Sequence, residues 1–325
     1  AHPIAKRTAT TVMATPLSRL STTPQWSLCF SGAGHLIVYH LGVAKGLISQ
    51  IEAGSPEPNL PTIHSVAGSS SGALVAAALG YFPDRIDEYA DRFLQDRGHA
   101  FRHLQQMLLE EESDRNIEGR TQPESSTQKN RIRPQWLGIA TTECSTGALH
   151  MFEFDTSTPL HKGNDDSRLL SVVQASCAIP QTFHPWDIFS KYPSTYPDDD
   201  GIAIDGSYFV DGGIAAPCPV WQKNAEQHQG DANIILISPT SGSSSLAPPV
   251  LGSIRPSDSS LKLPFVGDLS PRGENGAFRI RPSIQNLQGL VASAGAVHPQ
   301  ILHDFYQRGM EDANAFWVNW EEEQD

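Results

Sequence analysis

Apolar residues along the chain come in short β-prone runs, each followed by a longer run with helical spacing, and this alternation predicts an α/β fold. Residues 26–31, Trp-Ser-Leu-Cys-Phe-Ser, read as a first strand. They run into Gly32-Ala33-Gly34 and then a helix over about 35–49. On that helix Leu36, Ile37, Leu41, Val43, Leu47 and Ile48 cover more than one face, which predicts deep burial. A turn over 56–61 leads into a second strand ending near Ser70, and the next run, 73–79, is apolar all round, as in a helix lying under a sheet. Strand, loop, helix, strand at the front of a domain is the opening of a parallel sheet.

Residues 84–97 predict a surface helix with Ile86, Tyr89, Ala90, Phe93 and Leu94 on one face. From 110 to 130 the chain turns charged and polar, beginning Glu110-Glu111-Glu112. The expectation is an exposed mobile insertion whose acids form a solvated face, not a metal site. Residues 136–142 and 149–154 predict two strands joined by a hairpin turn at Ser145-Thr146-Gly147. Asp166-Ser167 can cap a helix running to about Cys177. A Pro- and Asp-rich loop over 185–206 leads to Tyr208-Phe209-Val210-Asp211-Gly212-Gly213, and 233–238 predicts a late buried strand. Two C-terminal helices follow, the last with Leu302, Phe305, Tyr306, Gly309, Ala313 and Phe316 at helical spacing. The implied division is a disordered leader at 1–25, an α/β domain at 26–240, a Ser/Pro/Gly-rich connector at 241–260 and helices at 261–325 that complete the domain. The leader carries Lys6, Arg7 and Arg19 with no acid, so a floppy terminus and an organelle transit sequence both fit it.

The net charge of -13, with no basic stripe, argues against a nucleic-acid partner. Cys29, Cys144, Cys177 and Cys218 are widely spaced without ligand-pair spacing, which predicts buried free thiols and a reducing, intracellular setting. The uncharged stretch 61–83 is broken by Gly-Ser-Ser-Ser-Gly, and its apolar part is about ten residues against the roughly 20 a membrane span needs.

The candidate chemistry sits in that break. Gly68-Ser69-Ser70-Ser71-Gly72 joins a strand to an apolar helix, the layout of a nucleophile elbow, in which strand and helix cross so closely that the flanking positions must lack side chains. Of the three serines only Ser70 has a glycine two residues away on both sides. A serine hydroxyl needs a base. In an α/β-hydrolase the base is a histidine, for which His184, His228, His298 and His303 are nominal candidates, but that fold places its nucleophile after the fifth strand and Ser70 follows the second.

The chain here resembles the patatin-like phospholipases, on four segments in the right order. They are Ser31-Gly32-Ala33-Gly34-His35, Gly68-Ser69-Ser70-Ser71-Gly72, Ala175-Ser176-Cys177-Ala178-Ile179-Pro180, and Val210-Asp211-Gly212-Gly213 with Pro217 and Pro219 after it. Tyr39-His40-Leu41-Gly42 and Arg308-Gly309-Met310-Glu311-Asp312-Ala313 look most like the adipose triglyceride lipase branch. The resemblance implies a three-layer α/β fold with a mainly parallel central sheet and flanking helices. It implies a Ser70–Asp211 dyad without histidine, with Gly212-Gly213 allowing close backbone approach and the N–H groups of Gly32, Ala33 and Gly34 forming an oxyanion hole. Asp205-Gly206 lacks the second glycine and reads as a turn. One departure stands out: Ile37 occupies the place of the family loop's last glycine.

The function so implied is a serine lipid acyl hydrolase cleaving carboxylic esters of phospholipids or acylglycerols, with no cofactor and no metal. It would meet its lipid substrate at a membrane or lipid-droplet surface. A catalytically weakened lipid-binding protein and a lipid transacylase are the alternatives. For the interfacial surface the candidates are Trp186, Ile188 and Phe189 in the loop 183–189, and residues 261–266.

Overall fold

The computed structural model describes residues 24–54, 60–96, 99–118, 132–157, 165–182, 195–216, 218–221, 233–239, 278–280 and 298–322. The expected leader (apart from its last two residues), the connector and the two proposed docking segments lie outside these residues.

The fold is mixed α/β, a central sheet flanked by helices. Strands β1 (Gln25–Phe30), β2 (Thr62–Ser69), β3 (Trp136–Glu143), β4 (Leu149–Asp155), β5 (Ile202–Ile204), β6 (Ser207–Asp211), β7 (Asn233–Ile237) and β8 (Phe278–Ile280) form one sheet, in the order β5-β6-β3-β2-β1-β7-β8 with β4 also on β3. The stretch from β3 through β2, β1 and β7 to β8 is parallel, while β3 pairs antiparallel with both β4 and β6. Helices α1 (Ile37–Ala53) and α2 (Ser71–Tyr81) are the crossovers from β1 to β2 and out of β2. Both steps run the same way across the sheet, so right-handed connection puts both helices on one face. Side chains alternate accordingly. Trp26, Leu28 and Phe30 of β1 point into the large core under the helices, while Cys29 joins Ala67, Cys218 and Leu236 on the opposite face.

β3 is the strand that decides the geometry of the molecule. Residues Trp136 to Ala140 pair with Ser65 to Ser69 of β2 on one edge, and β4 occupies the other edge as far as Thr142. β2 ends at Ser69, and the edge it vacates is taken over by β6, with Asp211 opposite Thr141. β2 runs parallel to β3 and β6 antiparallel, so their C-terminal ends meet head to head on one edge.

Helix α3 (Ile86–Gln95) leans on α1, and α4 (Ala100–Glu118) on α3 and α2. The backbone is helical through Glu118, within the stretch from 110 to 130 expected to be an exposed mobile insertion. Glu110 is held there by Arg85 and by Arg92, the latter at 2.9 Å, which orients α4 against α3. Residues 119–131 lie outside the described set. Within the expected loop 185–206, Ile202–Ile204 pairs with β6 as a short strand. Helix α5 (Asp165–Ser176) packs on β3, β5 and β6.

The C-terminal helix α7 (Pro299–Glu322) lies against α1 at very short range. A Cβ on Gly42 would stand 2.1 Å from the Tyr306 carbonyl oxygen, and one on Gly309 would stand 2.4 Å from that of Tyr39. At its far end Trp317 and Trp320 pack edge-on against Trp26, with ring centres 5.5 and 5.2 Å apart.

Candidate active site

β2 carries Gly68 and Ser69 into a turn so tight that a Cβ on Gly68 would lie 2.2 Å from the Gly72 carbonyl oxygen, and one on Gly72 2.5 Å from that of Phe30. The bend itself falls on Ser70, at φ 52° and ψ -129°, a conformation L-residues avoid at a cost of roughly 1–3 kcal/mol. Ser69 and Ser71 are buried and Ser70 is partly open. Ser70 is also the residue from which α2 springs, beside the positive end of its dipole.

Asp211 ends β6 and begins the four-residue turn of helix α6 (Gly212–Ala215), where its Oδ1 accepts the Gly213 N–H at 2.7 Å. The head-to-head meeting of β2 and β6 brings Ser70 beside this carboxylate: a Cβ on Gly213 would stand 2.9 Å from Asp211 Oδ1 and 3.9 Å from Ser70 Cβ. Gly212 is needed because a Cβ there would sit 2.0 Å from the Ala140 carbonyl oxygen. Asp211 is 5% exposed. Burial pushes its pKa from 3.8 up to about 6, against the lowering effect of Ser70 and of the Gly213 N–H.

Gly32 faces Ser70, since a Cβ on it would stand 3.2 Å from the serine Cβ. The Ala33 N–H is already donated to Ser71 Oγ at 2.9 Å. Those of Gly32 and Gly34 carry no hydrogen bond among the described residues. Gly34 has φ 53°. Ile37 sits at φ -45°, ψ -35° as the first residue of α1, buried and ordinarily helical, so nothing at that position demands a glycine.

The other candidates separate from this site. Asp205 occupies the β5–β6 turn at φ 49° with its carboxylate 2.8 Å from Arg168. His298 Nδ1 accepts the Gln300 N–H at the start of α7, and His303 is exposed on that helix. His184 and His228 lie outside the described residues. His40, fully buried and edge-on to Phe30, is pushed by burial down to about pKa 3 and stays neutral. The cysteines are free thiols, three of them buried and Cys177 partly so. No group of His, Cys, Asp and Glu able to hold a metal occurs among the described residues.

Sequence reading gave no role to three side chains that line the elbow. Ser71 Oγ takes the Ala33 N–H, Ser176 Oγ accepts the Ser70 N–H at 2.9 Å, and the Cys177 thiol donates to the Ser70 carbonyl at 3.1 Å. The last two belong to the Ala-Ser-x-Ala-x-Pro segment, which was legible as a motif but not as a set of contacts.

A strained serine elbow, a buried carboxylate beside it and a facing glycine loop, on a sheet that is parallel at its centre, define the class: mixed α/β proteins with a serine elbow. The model of the patatin-like phospholipases matches residues 28–222, and the chain belongs to that family. Two solved structures are similar over 92% of the chain. VipD from Legionella pneumophila has 12% identity and a TM-score of 0.45, with 67% of its length covered. ExoU of Pseudomonas aeruginosa, in complex with SpcU, has 13% identity and a TM-score of 0.39, with 52% covered. No curated protein matches the chain.

Proposed function

We propose that the chain is a lipid acyl hydrolase working through Ser70 and Asp211, with phospholipid or acylglycerol esters as substrate. Family membership supports the class of activity. The observation that carries the mechanism is the partly open Ser70 at a strained elbow, placed beside a buried carboxylate. As Ser70 Oγ attacks the ester carbonyl carbon, its proton passes to Asp211. The tetrahedral oxyanion is held by the N–H groups of Gly32 and Gly34, each such donor being worth roughly 2.7–4 kcal/mol in the transition state. Collapse expels the alcohol, which takes the proton from Asp211. A water deprotonated by the same carboxylate then attacks the acyl-enzyme, and collapse returns that proton from Asp211 to Ser70 Oγ as the fatty acid leaves. Ala33, with its N–H donated to Ser71, shapes the loop and leaves the oxyanion to its neighbours.

The ordinary helical geometry of Ile37 favours an active enzyme over a scaffold that has lost turnover. The two segments that look like the adipose triglyceride lipase branch touch each other, Tyr39 donating to Asp312 at 3.0 Å beside the Gly42–Gly309 contact. Acylglycerol esters therefore belong in the test beside phospholipids. No helix among the described residues is long and apolar enough to cross a membrane.

The test is a lipid panel with EDTA present, a fluorophosphonate probe to label the nucleophile, and the Ser70→Ala protein as blank. Fatty-acid release and labelling, both absent from the blank and unchanged by EDTA, are expected. A chelator-sensitive rate, or labelling that survives Ser70→Ala, sinks the proposal. Acyl transfer to an added acceptor alcohol in preference to water would make it a transacylase.

A further inference from the structure

The Ala-Ser-x-Ala-x-Pro segment lies where α5 ends, and three consecutive residues of it grip both halves of the site. Ser176 Oγ accepts the Ser70 N–H at 2.9 Å. Cys177 donates its thiol proton to the Ser70 carbonyl at 3.1 Å. Ala178 offers its carbonyl to the Asp211 N–H at 2.9 Å. Nucleophile and base come from strands that do not pair with each other, and this one segment is bonded to the backbone of both.

Ser176 makes the most demanding of these contacts. Its hydroxyl accepts from Ser70 and at the same time donates to the Ala140 carbonyl at 2.7 Å, and the side chain is fully buried. Ala140 is the last β3 residue paired to β2, and its carbonyl is also the group that Gly212 must lack a side chain to approach. One hydroxyl therefore ties the strained elbow, the β3 edge and the start of the Asp211 turn. Only a group that donates and accepts together can do this: alanine does neither, a carboxylate cannot donate, and a thiol is a poor acceptor. The Cys177 thiol, pushed well above its ordinary pKa by burial and by the Asp211 charge, stays protonated and able to donate.

We infer that Ser176 is a positioning residue: it fixes the Ser70 backbone at its positive φ so that the hydroxyl points at Asp211, and it acts on reactivity without touching substrate. The inference rests on Ser70 being the nucleophile. A displacement of about 1 Å at a reacting centre can cost on the order of a hundredfold in rate, and that is the loss expected.

The measurement is the second-order rate of Ser70 labelling by a fluorophosphonate, with kcat and KM on a soluble short-chain ester and the melting temperature of each variant. Ser176→Ala should lower labelling rate and kcat by about a hundredfold with KM unchanged. Ser176→Cys keeps the side chain's shape, guarding against a folding failure, and should fall nearly as far. Ser176→Thr, which keeps the hydroxyl, should recover part of the rate. Val173→Ala, one turn earlier on α5 and equally buried, serves as the packing control. Wild-type labelling rates in Ser176→Ala and Ser176→Cys overturn the inference alone. So does an equal loss in Val173→Ala at the same melting temperature. Wild-type protein that is not labelled at Ser70 overturns the proposed function, and this inference with it.

Discussion

Asp211→Asn should abolish turnover and make the protein more stable at neutral pH. The carboxylate is raised from 3.8 to about 6 because burial penalises its charged form more than Ser70 and Gly213 favour it. A group raised in the fold binds a proton more tightly there than in the unfolded chain. Its contribution to stability is fully present below pH 3.8 and is lost as pH rises through about 6. Relative to a neutral side chain, the ionised carboxylate at pH 7.5 therefore costs the fold on the order of 3 kcal/mol, from a shift of about two units at 1.36 kcal/mol each. Asparagine has nearly the same shape, cannot ionise, and can still accept the Gly213 N–H. Denaturant unfolding of both proteins between pH 3.5 and 8 is the assay. The expected gain for the variant is a few kcal/mol at pH 7.5, shrinking to nothing near pH 4. Turnover should fall by roughly 10⁴–10⁶, since an amide nitrogen takes no proton. Wild-type kcat/KM should rise with pH through about 6 and then level. A variant equally destabilised at every pH, or one with near-full activity, would show that Asp211 is neither charged against its surroundings nor the base.

Two further outcomes follow from the packing and the exposed surface. Gly42→Ala places a Cβ 2.1 Å from the Tyr306 carbonyl oxygen, a backbone atom that cannot step aside. It should cost about 1–3 kcal/mol by forcing α7 off α1, and a denaturation midpoint matching wild type would contradict the close crossing. Ile179, beside the Ala178–Asp211 contact and 67% exposed, can change without disturbing the core. Ile179→Asp, like Trp186→Ala or Phe189→Ala, should depress activity on aggregated lipid while sparing a soluble short-chain ester. Equal loss on both substrates would put the docking surface elsewhere.

Much of the site was legible because it is local. Gly68 and Gly72 announce the elbow by their spacing, and the structure shows the carbonyl contacts that require them. The β3–β4 hairpin follows from two β-prone runs around Ser-Thr-Gly. What could not be read depends on distant partners. Glu110-Glu111-Glu112 reads as a solvated face because the partners of Glu110 are distant in sequence: Arg85, just before α3, and Arg92 on it. That Ala33 would spend its N–H on Ser71, and that Ser176 would cradle Ser70, are contacts across 38 and 106 residues. The short strands β5 and β8 carry three residues each, too few for periodicity to register.

The reach between Ser70 and Asp211 is set by a strand that supplies neither residue. β2 and β6 are laid end to end along one edge of β3, and adjacent residues of that edge, Ala140 and Thr141, mark where the first stops and the second arrives. β3 acts as a ruler with two consecutive graduations. Lengthening the connections that join these strands leaves the interval untouched, however much sequence they come to hold. A one-residue slip of either strand along β3 changes it by about 3.3 Å, more than a hydrogen bond can stretch. The chain can thus vary widely between its two key residues while the spacing of those residues stays quantised by backbone pairing.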